Sequence, residues 1–223
     1  MGSIAGPKTI TNRKLVFAVD SKDPNSFKGS GTNWHDMAND IGGTFTNGAS
    51  GSLSNGYATF DGSNDFCTFG DQPSTQMSDA FSAEIWVRPH AIDQDVTVFS
   101  RDDGSNRQWW IFLQNNESIW FSVEDIGNAQ SPTGLYTADN WFHICGTYNG
   151  STLVNYVNGT ARTTTGSVSG NVNDGSAALN IGNRDNDDRH FDGDIALARM
   201  YKRGLTAAEV LHNFEAQRER FGV

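Results

Sequence analysis

Phe81-Ser82-Ala83-Glu84-Ile85-Trp86-Val87-Arg88 puts Phe81, Ala83, Ile85 and Val87 on one side of an extended chain, because strand side chains alternate with a period of two. The pattern predicts a half-buried strand. Further along, Leu153-Val-Asn-Tyr-Val-Asn158-Gly159-Thr-Ala carries an Asn-Gly pair between two β-prone runs. Asn-Gly supplies the positive φ angles of a two-residue hairpin turn. Working outward from these stretches, similar short segments fall at 14–20, 44–46, 57–60, 65–70, 96–101, 108–114, 118–124, 140–148, 177–182 and 194–201. With 24 glycines and only 5 prolines, the chain reads as many short strands joined by tight turns.

One helix is predicted, at about 206–220. Leu205-Thr-Ala-Ala-Glu-Val provides Thr206 as N-cap and Glu209 at the third helical position, a capping box, with Leu205 and Val210 as its hydrophobic staple. Val210, Leu211 and Phe214 form the expected apolar stripe, and Arg218-Glu-Arg220 is expected to end in solvent. A single helix after about a dozen strands braces a sandwich. No linker or internal repeat interrupts the pattern, so an arm at 1–13 followed by one unit at 14–223 is expected.

Composition narrows the function classes. Hydrophobic residues make up 36% of the chain and charged ones 19%, enough apolar material for a sizeable core. A net charge of −10 without a Lys/Arg cluster excludes nucleic acid as a partner. No apolar run approaches a membrane span, so no membrane insertion is expected. The opening Met1-Gly-Ser-Ile-Ala-Gly-Pro7 lacks the basic and apolar regions of a signal peptide, which implies a removed leader or exit by another route, such as release in a virus particle. Cys67 and Cys145 both fall in apolar strands and read as free buried thiols. Asn116, Asn149 and Asn158 match glycosylation acceptors but sit in turn sequences.

The order of several short motifs resembles the laminin G-like (concanavalin A-like) jelly-roll family. They are Leu15-Val-Phe-Ala-Val-Asp20, Trp34-His-Asp36 and Tyr57-Ala-Thr-Phe-Asp-Gly-Ser-Asn-Asp-Phe66, then Phe81–Pro89 and Trp141-Phe-His-Ile-Cys-Gly-Thr-Tyr148. Tyr156-Val-Asn-Gly159 and the run from Asp192-Gly-Asp-Ile to Glu209 complete the set. The resemblance implies an all-β fold of two stacked antiparallel sheets, in which Phe60 and Phe66 point into the core. The glycine at 193 is expected to break the chain before a late-pairing strand. The opening from Leu15 to Asp36 looks like phage-encoded members, which implies a virion protein such as a capsid decoration, fibre or tail component. The family hosts sugar binders, protein binders and inert modules alike, so function has to come from a site.

Three constellations bear on chemistry. For glycoside hydrolysis, which needs two carboxyl groups flanking the scissile bond, the comparable strands offer Glu84 alone, and the five scattered histidines add no catalytic arrangement. His143 reads as a packing residue, and the chain as a non-enzyme. For metal, the loops 101–106 and 183–189 are rich in the oxygen donors calcium takes. The resemblance extends to pentraxins, whose calcium loops occupy similar places. It implies Asp103, Asn106, Asp185 and Asp187 as ligands, with Asp102 and Asp188 in reserve. The competing reading is two solvated turns neutralised by Arg184 and Arg189. For sugars, Trp109, Trp110 and Trp120 lie on neighbouring strands as candidate ligand-binding residues. Adjacent Trp109 and Trp110 point to opposite faces, so at most one occupies the core layer and the other could stack on a pyranose ring. Trp34, Trp86 and Trp141 read as structural.

Three function classes follow. The leading one is a non-enzymatic virion module that associates with itself and with other particle proteins. The alternative is a calcium-dependent carbohydrate-binding adhesin, extracellular or on a cell surface, that takes cell-surface glycans. A glycoside hydrolase is the remote third.

Overall fold

The computed structural model describes residues 11–184 and 189–223. In chain order the strands begin with β1 (Leu15–Asp20), β2 (Asn33–His35), β3 (Gly42–Thr46), β4 (Ser50–Ser52), β5 (Tyr57–Asp61) and β6 (Phe66–Thr68). A 3-10 turn at Pro73–Thr75 precedes β7 (Phe81–Pro89), β8 (Val96–Arg101), β9 (Trp109–Leu113), β10 (Ile119–Val123) and β11 (Gly127–Gln130). Next are β12 (Phe142–Tyr148), β13 (Thr152–Val157), β14 (Thr160–Gly166), β15 (Leu179–Ile181), β16 (Asp192–Tyr201) and the helix α1 (Ala207–Phe221).

These strands make two antiparallel sheets stacked as a sandwich, with α1 at the C-terminal end. The first sheet runs β14-β13-β12-β7-β16-β5-β4, with β1 also on β16, and the second runs β11-β10-β9-β8-β15-β6-β3-β2. The Asn-Gly turn joins β13 to β14 as predicted: Asn158 has φ 49° and Gly159 φ 73°, and Val157 faces Thr160. Between the sheets, Phe81, Ala83, Ile85 and Val87 meet Phe99, Ile111 and Phe121 in one core cluster. Trp109 sits among them, edge-on to Phe99 at 5.0 Å and tilted against Phe81 at 5.6 Å.

Some expectations are corrected. Phe60 is in the core, but Phe66 is half-buried and its neighbour Cys67 takes the inward place, because β6 pairs with the opposite parity. The glycine at 193 does not break the chain. It lies inside β16 opposite Pro89 and Phe60, where a Cβ would stand 2.3 Å from the Arg88 carbonyl oxygen. A bulge between Ile195 and Leu197 resets the alternation of β16, so Ile195, Ala198 and Met200 face the core while Leu197, Arg199 and Tyr201 face outward.

The larger correction concerns β7, which is buried on both sides. Ser82, Glu84 and Trp86 are as inaccessible as the core-facing residues, because α1 lies across the outer face of the first sheet. The capping box at Thr206 and Glu209 forms as read from sequence, and Leu205 and Val210 share an apolar cluster. The helix stripe differs from the expected one. Val210, Asn213 and Phe214 are buried, whereas Leu211 is 45% exposed. The indole of Trp86 stacks on Phe214 and Phe221, with ring centroids at 5.7 and 4.2 Å. Arg220 does not end in solvent: its guanidinium holds Asp20 at 2.8 Å and the Gly56 carbonyl at 2.6 Å.

Under the helix sits a polar knot. Glu84 accepts from Arg199 Nη1 at 2.9 Å, Tyr201 Oη at 3.2 Å and Asn213 Nδ2 at 3.1 and 3.2 Å, and His143 Nε2 stands 3.4 Å away. Asn213 is the helix's own contribution, and its Oδ1 also accepts from Thr11 N at 2.9 Å. Burial pushes the Glu84 carboxyl up, but the His143 and Arg199 contacts outweigh it and hold it at about 2. A carboxyl whose folded value lies below its unfolded one contributes stability above the unfolded value and loses it as pH falls toward the folded one. Urea unfolding is therefore expected to weaken by about 3 kcal/mol between about pH 4.5 and 2, Glu209 adding to the loss because Arg203 holds it down as well. In Glu84→Gln the slope in that window flattens, and the variant is less stable at pH 7 by about 3–5 kcal/mol because Arg199 stays buried without its charge partner. An unchanged slope contradicts the assignment. Trp109→Ala is expected to cost about 3–5 kcal/mol in the same assay, against about 1 kcal/mol or less for Trp110→Ala.

Candidate ligand-binding face

Strand parity decides which of the sequence-predicted aromatics reach a surface. Residues of β9 alternate, so Trp109, Ile111 and Leu113 face the core while Trp110 and Phe112 face outward. Trp109 is thereby removed from the ligand-binding set. On β10 the same alternation turns Ile119, Phe121 and Val123 inward and Trp120 and Ser122 outward. The antiparallel register places Trp110 opposite Ser122 and Phe112 opposite Trp120. Both retained candidates, Trp110 and Trp120, therefore lie diagonally on one patch of the second sheet's outer face, each half-buried. Phe112 and Trp120 meet edge to face at 6.4 Å.

This face is held rigidly. Asn155 of β13 reaches across the sandwich and donates to the Ile119 and Ala129 carbonyls at 2.7 and 3.2 Å. Thr163 and Thr165 on β14 donate to the Gln130 and Asn128 carbonyls of the edge strand β11, at 2.6 and 2.8 Å. These bonds tie the β9–β11 layer to the first sheet and satisfy edge carbonyls that would otherwise invite pairing with another chain.

Two recesses flank the aromatic pair. One, of about 380 Å³, is lined by Trp110, Trp120, Ser122, Asn128 and the β10–β11 turn carrying Glu124 and Asp125. The other, of about 180 Å³, is lined by Arg107, Trp110, Phe112, Trp120, Arg184 and Arg189. Arg107 lies over the Trp110 ring at 5.6 Å and Arg189 over the Phe112 ring at 4.6 Å. The competing reading, in which Arg184 neutralises the acidic loop, agrees with its 3.5 Å approach to Asp102, whereas Arg107 was missed altogether. The spacing of Arg107 from Trp110 was the available signal. A flat apolar pair with hydroxyl, amide and carboxylate groups on one side and guanidiniums on the other suits a sugar ring, whose apolar face stacks while its polar substituents bond at the rim.

Of the implied calcium ligands, Asp103 and Asn106 are in the described chain, and Asp185 and Asp187 lie outside the described residues, as does the reserve Asp188. Asp103 accepts from Ser105 N and Asn106 Nδ2 at 2.8 Å, an Asx turn in which Asn106 holds its carboxyl below the usual range. Asp102 accepts from Gly104 N at 2.7 Å and stands 3.6 Å from Arg107 and 3.5 Å from Arg184. Among the described residues no group of three or more His, Cys, Asp or Glu side chains is arranged to hold a metal ion. Glu84 is sealed beneath α1 and has no path to a substrate in the folded chain. Of the tryptophans read as structural, Trp34 stacks on Phe45 in the core at 5.3 Å, and Trp86 is covered by α1. Trp141 is half-buried against Phe221 and Tyr57. Cys67 and Cys145 are free and buried.

Comparison with solved structures agrees with this architecture. Domain 4 of AbnA, an extracellular arabinanase of Geobacillus stearothermophilus solved with arabinotriose, superposes with a TM-score of 0.68 at 19% identity, over 90% of this chain and 98% of that one. The binding domain of botulinum neurotoxin serotype G gives 0.68 at 18% identity, over 91% and 51%. Trypanosoma rangeli sialidase with sialic acid gives 0.71 at 14% identity, over 96% and 34%, so the chain spans about a third of that enzyme's length. At these identities the likeness concerns the fold. No curated protein sequence matches. Residues 61–211 match the laminin G-like profile of the concanavalin A-like lectin/glucanases superfamily, and with more than half of its length matched the chain belongs to that family.

Proposed function

We propose that the chain is a non-enzymatic carbohydrate-binding module that takes a glycan on the Trp110–Trp120 face. The observation that carries this reading is the asymmetry of the sandwich. The outer face of the first sheet is covered by α1, while the outer face of the second presents two indoles flanked by polar recesses. The arabinotriose in the arabinanase domain supports a sugar as ligand for such a sandwich. Catalysis has no place in the proposal. Glu84 lies under the helix, and Glu124 and Asp125 are consecutive in one turn, so they do not flank a glycosidic bond from opposite sides. Calcium enters only through the loop of Asp103 and Asn106 beside Arg107, as an aid to ordering it.

Assembly into a virus particle, with self-association, is the second reading. It rests on the phage-like opening from Leu15 to Asp36, in which the buried Asp36 accepts from the backbone of Ala18, Ala38 and Asn39 and so fixes that segment. Mass spectrometry of purified particles decides it, since particles lacking this chain would remove the reading. The glycan reading is tested on a glycan array with and without chelator. Binding is expected, with Trp110→Ala and Trp120→Ala each weakening it about tenfold or more while costing no more than about 1 kcal/mol of stability, so that both stay folded in the assay. Silence of the array in both conditions overturns it, and a signal insensitive to chelator removes the part given to calcium.

A further inference from the structure

Resting on the glycan reading of the Trp110–Trp120 face, we propose that the ligand is a neutral glycan, one hydroxyl of which is taken by Ser122 in the recess beside the β10–β11 turn. Ser122 faces outward from β10, lines that recess and is only 3% exposed, yet its Oγ has no hydrogen-bond partner. The buried serines around it in the second sheet are all satisfied. Ser100 donates to the Asn183 carbonyl at 3.3 Å, Ser118 to Gln114 Oε1 at 2.7 Å and Ser131 to the Pro132 carbonyl at 2.9 Å. A buried hydroxyl without a partner forfeits the bonds it makes with water in the unfolded chain. Folding gains nothing from such a group at 122, whereas a ligand hydroxyl supplies its missing partner. Trp120, two residues earlier on the same face, also leaves its indole N–H unpartnered.

The register sets what surrounds this hydroxyl. Ser122 stands between Trp110 on β9 and Asn128 on β11. Its Oγ is closed to solvent, and the half-buried Trp110 indole opposite it is the group whose turning bares it, so stacking of a sugar ring and engagement of Ser122 occur together. The recess, at about 380 Å³, falls within the size of small-ligand pockets. At its rim lie Glu124, half-buried, and Asp125 and Asn128, both exposed. Among the described residues neither carboxylate is salt-bridged, so both are open to accept from sugar hydroxyls in charge-assisted bonds. On a chain of net charge −10 the same carboxylates repel sulfate or carboxylate substituents. An ammonium group gains little here, because exposed carboxylates are screened by water and salt and the indole N–H can only donate. Hydroxyls, which both donate and accept, match the floor and the rim alike.

The test uses the whole chain on an array of neutral oligosaccharides, the same chains with primary hydroxyls oxidised to carboxylates, sulfated chains and chains bearing free amines. The unfolding midpoint is measured for every variant. Neutral chains are expected to bind, and their carboxylated and sulfated counterparts to bind at least tenfold more weakly at low salt. Ser122→Ala is expected to weaken the neutral chains about fivefold while its midpoint stays at or above that of the parent, because the hydroxyl removed has no partner within the fold. Glu124→Gln combined with Asp125→Asn is expected to narrow the gap between neutral and carboxylated chains about fivefold. An unchanged gap, or preference for acidic, sulfated or amine-bearing chains, overturns the neutral class while the glycan reading stands. Unchanged affinity in Ser122→Ala, or lost affinity together with a lowered midpoint, overturns the part given to Ser122, since a structural hydroxyl predicts the latter pattern. Failure of every chain to bind overturns this inference and the glycan reading together.

Discussion

The buried carboxylate of Glu84 is the constraint around which the molecule is organised. A charge at that position is tolerable only with Arg199 beside it and hydrogen bonds on its remaining lone pairs. Asn213 and Tyr201 supply those bonds, and Asn213 belongs to α1. The outer face of the first sheet therefore needs the helix, and the helix needs the sheet: Trp86 has Phe214 and Phe221 above it and the strand beneath. Thr11 and Asp20 are tied to the same helix through Asn213 and Arg220, so the segment that carries them lies on the helix side of the sandwich.

That closure assigns the roles of the two outer faces. With one face sealed, Trp110 and Trp120 of the second sheet stay half-buried beside two recesses, while Phe112 is buried under Arg189. Asn155, Thr163 and Thr165 keep this layer from shearing against the first. On the proposed glycan reading, the ligand meets a preformed platform, which limits the ordering cost of binding. The two recesses differ in lining, with Glu124 and Asp125 at one and Arg107, Arg184 and Arg189 at the other.

Much of this was legible in the residues. Period two located β7 and the strands around Trp110, Asn158-Gly159 located the hairpin, and Thr206 with Glu209 located the helix start. The capping chemistry is local, so sequence carries it completely. Three strands escaped, β2, β4 and β11, and β14 was implied only by the hairpin turn before it. Segments such as Ser50-Gly-Ser52 and Gly127-Asn-Ala-Gln130 are short and lack apolar alternation, and what makes them strands is backbone pairing with the neighbouring strand, Tyr57–Thr59 for the first and Trp120–Val123 for the second. Periodicity also shows which residues share a face but not what covers it, which is why β7 read as half-buried and the helix over Glu84 and Trp86 went unforeseen, although Trp86 read as structural. For the same reason Trp109 and Trp110 were separable as opposites while the choice between them waited for the fold. The guanidinium cluster was hidden because Arg107 and Arg189 are distant in sequence and meet only through β8, β9 and β15.

The central claim is that recognition occurs on the sheet face left open by α1. The indole Nε1–H resonances of the six tryptophans report on it directly during titration with a bound glycan. The account predicts that the signals of Trp110 and Trp120 move while those of Trp34, Trp86 and Trp141 stay in place. Movement of Trp141, on the helix side, with Trp110 and Trp120 unchanged would contradict it.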